Sequence, residues 1–252
     1  MPVWNYNPSL SLWFDRAVEN WMIDREVYGR TWVCAKTWGG VIGVPKKGTP
    51  YIDYAHIWAD GSKVMMEAHD SKGCMGVVAV GWGNIWAWRD GNRVEPQPDP
   101  VSIDDVYRVS VGARRGDWRR KGPWWKPWHT SFLVDLWCWE PVAKAIVMVD
   151  FYISTAGDPG SRSLLSSVWY WWESGVFHLI YPLRPWWVMP KGRWYTFNFD
   201  PRLPFKLAAY ICWRAGWGVR YKRLQLIEAS PLMELQRAEG KLDVDYFYVY
   251  RR

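Results

Sequence analysis

Nine stretches of this chain carry the residue pattern of β-strands, and turn residues separate most of them. Residues 63–69, 76–88, 105–113, 131–139, 145–153, 166–172, 176–181, 193–199 and 242–250 are rich in β-branched and aromatic side chains. Asp60-Gly61, Asp90-Gly91-Asn92, Gly157-Asp158-Pro159-Gly160, Glu173-Ser174-Gly175, Pro190-Lys191-Gly192 and Glu239-Gly240 punctuate them. Strands with no helices between them predict an all-β fold, an antiparallel two-sheet sandwich or jelly roll. One helix is predicted over residues 203–213, where Leu203, Leu207, Tyr210 and Ile211 recur at helical spacing, and a short second one near residues 16–22. No linker or internal repeat divides the chain, so residues 1–252 read as one domain.

Twenty-three of the 252 residues are Trp, more than packing alone requires, since a buried indole N–H needs a partner. They come in bursts: Trp124-Trp125 with Trp128, Trp169 with Trp171-Trp172, and Trp186-Trp187. Flat faces with one polar atom suit sugar rings, nucleobases or membrane interfaces. The longest apolar stretches are glycine-broken or too short to span a bilayer, so no membrane partner is expected. A net charge of +7 invites a nucleic-acid reading. Residues 114–129 interleave basic side chains with Trp118, Trp124, Trp125 and Trp128, which could track a single strand by stacking or could form a hydrated loop capping the core. The aromatic excess continues where no basic charge accompanies it, so nucleic acid is the lesser reading. The four cysteines have no CxxC and no His at zinc-ligand spacing, which leaves no metal site expected. Cys34 with Cys74 is the disulfide to test, and buried free thiols are the other reading. His56, His69, His129 and His178 lie near no nucleophile motif, and no phosphate loop or EF-hand pattern occurs, so no cofactor is expected.

Alternation sorts the strand faces. In residues 131–139 Phe132, Val134, Leu136 and Cys138 share one face, and Leu133, Asp135, Trp137 and Trp139 the other. In residues 145–153 the Ile146, Met148, Asp150, Tyr152 face opposes Val147, Val149 and Phe151. Two neighbouring strands thus each set one carboxylate among large side chains, which is costly unless the group is solvated or paired. A wet, Trp-lined concave cleft satisfies both; two solvent-exposed aspartates are the plainer alternative.

Taken in order, these segments resemble the family-12 glycoside hydrolases, β-jelly-roll endo-β-1,4-glucanases, and their thermophilic members most. Leu10-Ser11-Leu12-Trp13 is similar to the family's Asn-Leu-Trp strand. Residues 79–88, AVGWGNIWAW, resemble its Gly-Tyr-Pro-Glu-Ile segment, with Asn84 where Glu is usual. FLVDLWCW at 132–139 resembles the Tyr-Asp-Leu-Phe/Trp strand, and Asp135 matches the acidic residue that supports the nucleophile. VMVDFY at 147–152 with the turn after it resembles the Glu-Ile-Met-Ile-Trp strand, and Met233-Glu234-Leu235 the surroundings of the acid/base Glu. In the register set by Met148 the family's nucleophilic Glu falls on Ile146, while Asp150 stands two steps from Met148 on the same face.

The resemblance implies a retaining endo-glucanase acting on β-glucan, with Glu234 as acid/base and Asp135 and Asp150 competing for the nucleophile or supporting role. Trp13, Trp82, Asn84, Trp86, Trp137, Trp139 and Met148 are the implied substrate-binding residues. Retention needs carboxyl groups roughly 5–5.5 Å apart, and a gap of roughly 6.5–9.5 Å would favour inversion through a water. Moving the second carboxylate from position 146 to Asp150 shifts its attachment by roughly 13 Å along a strand unless a bulge intervenes. A binding-only jelly roll that lost its nucleophile is therefore the alternative. A polymeric substrate implies an extracellular, secreted protein whose leader has been removed, and a monomer is expected. Pro-dense turns and only six Asn fit a thermophile.

Overall fold

The computed structural model describes residues 11–14, 37–44, 54–60, 63–71, 75–83, 101–158, 168–173 and 176–252. They build two packed β-sheets, a jelly-roll sandwich. In chain order, the larger sheet takes β1 (Ser11–Phe14), β2 (Thr37–Val44), and, past β3 (Tyr54–Asp60) and β4 (Lys63–His69) of the smaller sheet, β5 (Met75–Gly83) and β6 (Val101–Ser102). After β7 (Val106–Arg120) come β8 (Trp128–Glu140), β9 (Ala145–Asp158), β10 (Trp169–Glu173) and β11 (Val176–Pro182). Then follow β12 (Trp194–Phe199), α1 (Arg202–Arg214), β13 (Gln225–Gln236) and β14 (Ala238–Arg251). The larger sheet runs β1-β2-β5-β13-β8-β9-β11-β10, with β6 on the end of β13; the smaller runs β12-β7-β14-β4-β3.

The faces separate as alternation predicts. Phe132, Val134, Leu136 and Cys138 of β8 and Val147, Val149 and Phe151 of β9 all lie in the core between the sheets. From the smaller sheet Val109, Val111, Leu242, Val244, Phe247 and Phe197 meet them. The predicted helix forms as α1, one residue longer at each end, and buries Phe205, Ala208, Ala209 and Cys212. Pro204 is tolerated because it falls in the first turn, where its missing N–H would bond nothing. Asp200 accepts the Arg202 N–H at 2.9 Å.

Three features depart from the sequence reading. Among the described strands the pairing is antiparallel except for β9 and β11, which run parallel in register Asp150 to Ile180. Residues 225–236 form a central strand that the sequence hid, because Pro231 interrupts it. The ladder absorbs this proline: β13 pairs with β5 at Glu228–Gly83 and Ala229–Trp82 and resumes at Leu232–Ala79, leaving Pro231 out. Finally, residues 114–120 are the second half of β7, not a loop, and much of their charge is engaged. Arg114 Nε donates to Asp243 at 2.7 Å, Arg119 lies 3.5 Å from Asp117, and Arg120 donates to the Lys126 carbonyl at 2.9 Å. The turn after them leaves Trp124 and Trp125 exposed, while Trp118 is buried and donates its indole N–H to the Lys241 carbonyl at 3.1 Å.

The predicted helix near residues 16–22, the Cys34 and Cys74 pair, Asn84 and Trp86 lie outside the described residues. Cys138 and Cys212 are buried free thiols. Among the described residues no helix is long and apolar enough to cross a membrane.

Candidate active site

The face of the larger sheet turned away from the core carries a ladder of polar rungs across β13, β8 and β9. Read from one end, the rungs are Gln225–Trp139–Ile146, Glu228–Trp137–Met148 and Ser230–Asp135–Asp150. Then follow Leu232–Leu133–Tyr152 and Glu234–Ser131–Thr155, with Gln236–His129–Gly157 last. Parallel β11 extends three of them with Val176, His178 and Ile180. Two irregularities keep the side chains on this face. A bulge between Leu226 and Glu228 turns Glu228 out of the core, and a register shift at Phe132/Leu133 leaves Ile153 of β9 unpaired with β8.

Four carboxyl groups stand on this face, and all are nearly closed from solvent: Glu228 3%, Asp150 5%, Glu234 6% and Asp135 8% exposed. Among the described residues no Lys or Arg forms an ion pair with any of them. Burial therefore drives three of them toward the neutral form. Glu228 is raised to about 8 by desolvation. Asp150 is raised to about 7 by desolvation, a hydrogen bond from Asp135 working the other way and the charge of Glu234 adding to the rise. Asp135 is raised well above its ordinary value by desolvation, then by Asp150, Glu228 and Glu234. Asp135 and Asp150 are directly opposed on adjacent strands, and burial side by side disfavours both being charged at once. Oδ1 of each aspartate is buried with no hydrogen-bond partner among the described residues.

Glu234 is held differently. His129 Nε2 lies 2.7 Å from its Oε1, and the Tyr152 hydroxyl donates to the same oxygen at 3.0 Å. Burial and the neighbouring carboxylates push the Tyr152 phenol up, so it stays a donor. Ser131 and Thr155 hydroxyls bond each other at 3.0 Å beneath it.

At the opposite end the face is apolar. Ile146, Met148 and Val176 pack with the partly exposed rings of Trp137 and Trp139. His178, lowered to about 4 by burial, stays neutral and meets Trp137 edge-on at 6.5 Å between centroids. An aromatic wall thus adjoins a row of acids, the arrangement needed to hold a hydroxylated ring and exchange protons with it. No group of His, Cys, Asp and Glu suited to a metal ion occurs among the described residues.

Of the residues singled out from sequence, Glu234, Asp135, Asp150, Trp137, Trp139 and Met148 come together on this face. Trp13 and Trp82 are placed by backbone register alone. Trp82 pairs with Ala229, and Trp13 connects through Val41 and Val78 to Met233, both of them core residues of β13. Glu228, His129 and the role of Tyr152 were missed. Glu228 had a legible signal, since it stands six residues before Glu234 in a stretch of strand-forming residues; His129 had none, because its partner is 105 residues away.

No protein-family model matches the sequence, and no curated protein matches it. Solved structures with a similar arrangement include a family-12 xyloglucanase from Bacillus licheniformis, at 12% identity and TM-score 0.45 over 98% of this chain and 99% of that one. Endoglucanase 3 of Trichoderma harzianum, from family GH12, aligns at 8% identity and TM-score 0.45 over 98% and 100%. The family-11 xylanase of Neocallimastix patriciarum aligns at 10% and 0.39 over 98% and 94%. At such identities and scores these likenesses carry no information about what this chain does.

Proposed function

We propose that this protein is a glycoside hydrolase that cuts β-1,4-glucan chains internally, with Glu234 and Asp150 as the reacting carboxyl groups and Asp135 as the proton-sharing support of Asp150. The observation that carries the reading is the row of four buried carboxyl groups, without Lys or Arg partners among the described residues, beside the Trp137–Trp139 wall. Structural acids are normally paired when buried, whereas a site that moves protons needs its acids raised toward neutral pH. Asp150 at about 7 meets that need.

The register favours an inverting reaction over the retaining one that the family resemblance implies. Glu234 and Asp150 stand two strands apart and four residues out of step, roughly 16 Å between attachment points. Even with both side chains leaning inward, that fits the roughly 6.5–9.5 Å gap for a water better than the roughly 5–5.5 Å of direct attack. Proton NMR of the first-formed anomer from a β-glucan oligosaccharide gives the test. The α-anomer is expected, and a β-anomer would return the site to the retaining class.

A second reading, a glucan-binding module without turnover, is favoured by one observation. Ile146, at the position where the family resemblance places a nucleophile, is packed into the apolar patch with Met148 and Val176. Calorimetry with cello-oligosaccharides separates the two, since binding that persists for days without cleavage supports the module. Under either reading the partner is a polysaccharide and the site of action lies outside the cell.

A further inference from the structure

The hydrogen bonds around Glu234 bear on which carboxyl group gives the proton and which receives one. His129 and Tyr152 converge on a single oxygen, Oε1, at 2.7 and 3.0 Å. The Tyr152 hydroxyl donates its proton there. The imidazole could donate or accept, depending on its tautomer. His129 is 2% exposed, and its Nδ1 is buried with no partner among the described residues. Nδ1 lacks a partner in either tautomer, so the choice turns on Oε1, which already accepts the Tyr152 proton; the hydroxyl oxygen of a carboxylic acid accepts poorly, so Oε1 does not also carry a proton to give to His129. The tautomer with the proton on Nε2 therefore fits, and then both neighbours donate to Glu234. Two donors on one oxygen match the acceptor-only chemistry of a carboxylate.

We propose that His129 is the positioning residue that, together with Tyr152, holds Glu234 as the anionic member of the reacting pair, so that the proton for the departing sugar comes from the Asp135–Asp150 pair. This rests on the hydrolase reading and exchanges the roles that the family resemblance implies. The step balances. The glycosidic C1–O bond breaks with its electron pair going to the leaving oxygen, which takes the proton of the aspartate pair. A water attacks C1 and gives its proton to Glu234. Afterwards Glu234 is protonated and the aspartate pair has lost its proton, and exchange with solvent restores both. The raised affinity of Asp150 and Asp135 for protons agrees with that division.

Two experiments test the assignment. The first needs no turnover. Nitrogen-15 NMR of the His129 ring in the intact protein reads the tautomer directly. A proton on Nε2 is expected; a bare Nε2 with the proton on Nδ1 would mean that Glu234 is the donor and would overturn the proposal, whether or not the protein cleaves glycans. A preparation that cleaves nothing yet shows the Nε2 proton counts against the hydrolase reading alone. The second uses activity. Azide added to Glu234→Ala should restore turnover and give the α-glycosyl azide, whereas a β-glycosyl azide would show that Glu234 had been the acid/base of a retaining enzyme. His129→Leu should lower kcat roughly ten- to hundredfold, the worth of one hydrogen bond to a charged group, with KM little changed. His129→Gln keeps a donor and should recover most of that loss. Equal losses in both variants would mean that His129 acts only through packing.

Discussion

Glu228 is nearly closed from solvent, and burial, which disfavours its charge, pushes its carboxyl up to about 8. Unfolded, the same group releases its proton near 4.5. Between those values the folded state holds one more proton than the unfolded state, so stability falls as pH rises. Asp150, raised to about 7, and Asp135 act in the same direction. Each contributes a slope of at most about 1.4 kcal/mol per pH unit within its window. The thermal midpoint should therefore drop from pH 5 to pH 8, and Glu228→Gln should flatten part of the drop and melt higher than wild type at pH 8. Equal midpoints at the two pH values in wild type would show that these acids are solvated. At the apolar end, Trp137→Ala and Trp139→Ala should each weaken oligosaccharide binding by calorimetry, roughly tenfold or more for a lost stacking face, and undiminished binding would place the sugar elsewhere. The two aspartates and both tryptophans were legible because strict alternation put them on one face. The His129 contact was not, since only β13 lying beside β8 brings Glu234 to it.

At the scale of elements, β8 and β9 follow from their own residues, each alternating apolar core positions with the polar face. Strand β13 did not, because Pro231 argues against a central strand and only the local gap in pairing with β5 accommodates it. The parallel pairing of β11 with β9 likewise depends on where the chain after β9 returns, which no local pattern encodes. Gly157 shows how an element positions the site. It lies opposite His129 with φ +99, and a Cβ there would collide with the Trp128 carbonyl and lie 3.0 Å from His129 Cα. Gly157→Ala should cost about 1–3 kcal/mol of stability from the backbone conformation alone. It should also lower activity by shifting His129. A denaturant midpoint equal to wild type would show that β9 adjusts freely there.

The described residues form a sandwich whose inner faces fill with Phe, Val, Leu and Met, and the carboxyl row stands on the outer face of the larger sheet. That architecture was readable from strand spacing, whereas the use of the Trp excess was not. Trp128, Trp172, Trp187 and Trp217 pack against the core, Trp124, Trp125, Trp186 and Trp213 face solvent, and Trp137 and Trp139 line the candidate site. Composition cannot sort these uses; neighbours in space do. On the reading proposed above, the buried carboxyl row makes this fold an enzyme. Reducing-end release from barley β-glucan by wild type, Glu234→Gln and Asp150→Asn measures it most directly. Wild type should release reducing ends, and each variant should lose roughly hundredfold or more, the scale of a missing proton-transfer group. No release by folded wild type, or release unchanged in both variants, would contradict that reading.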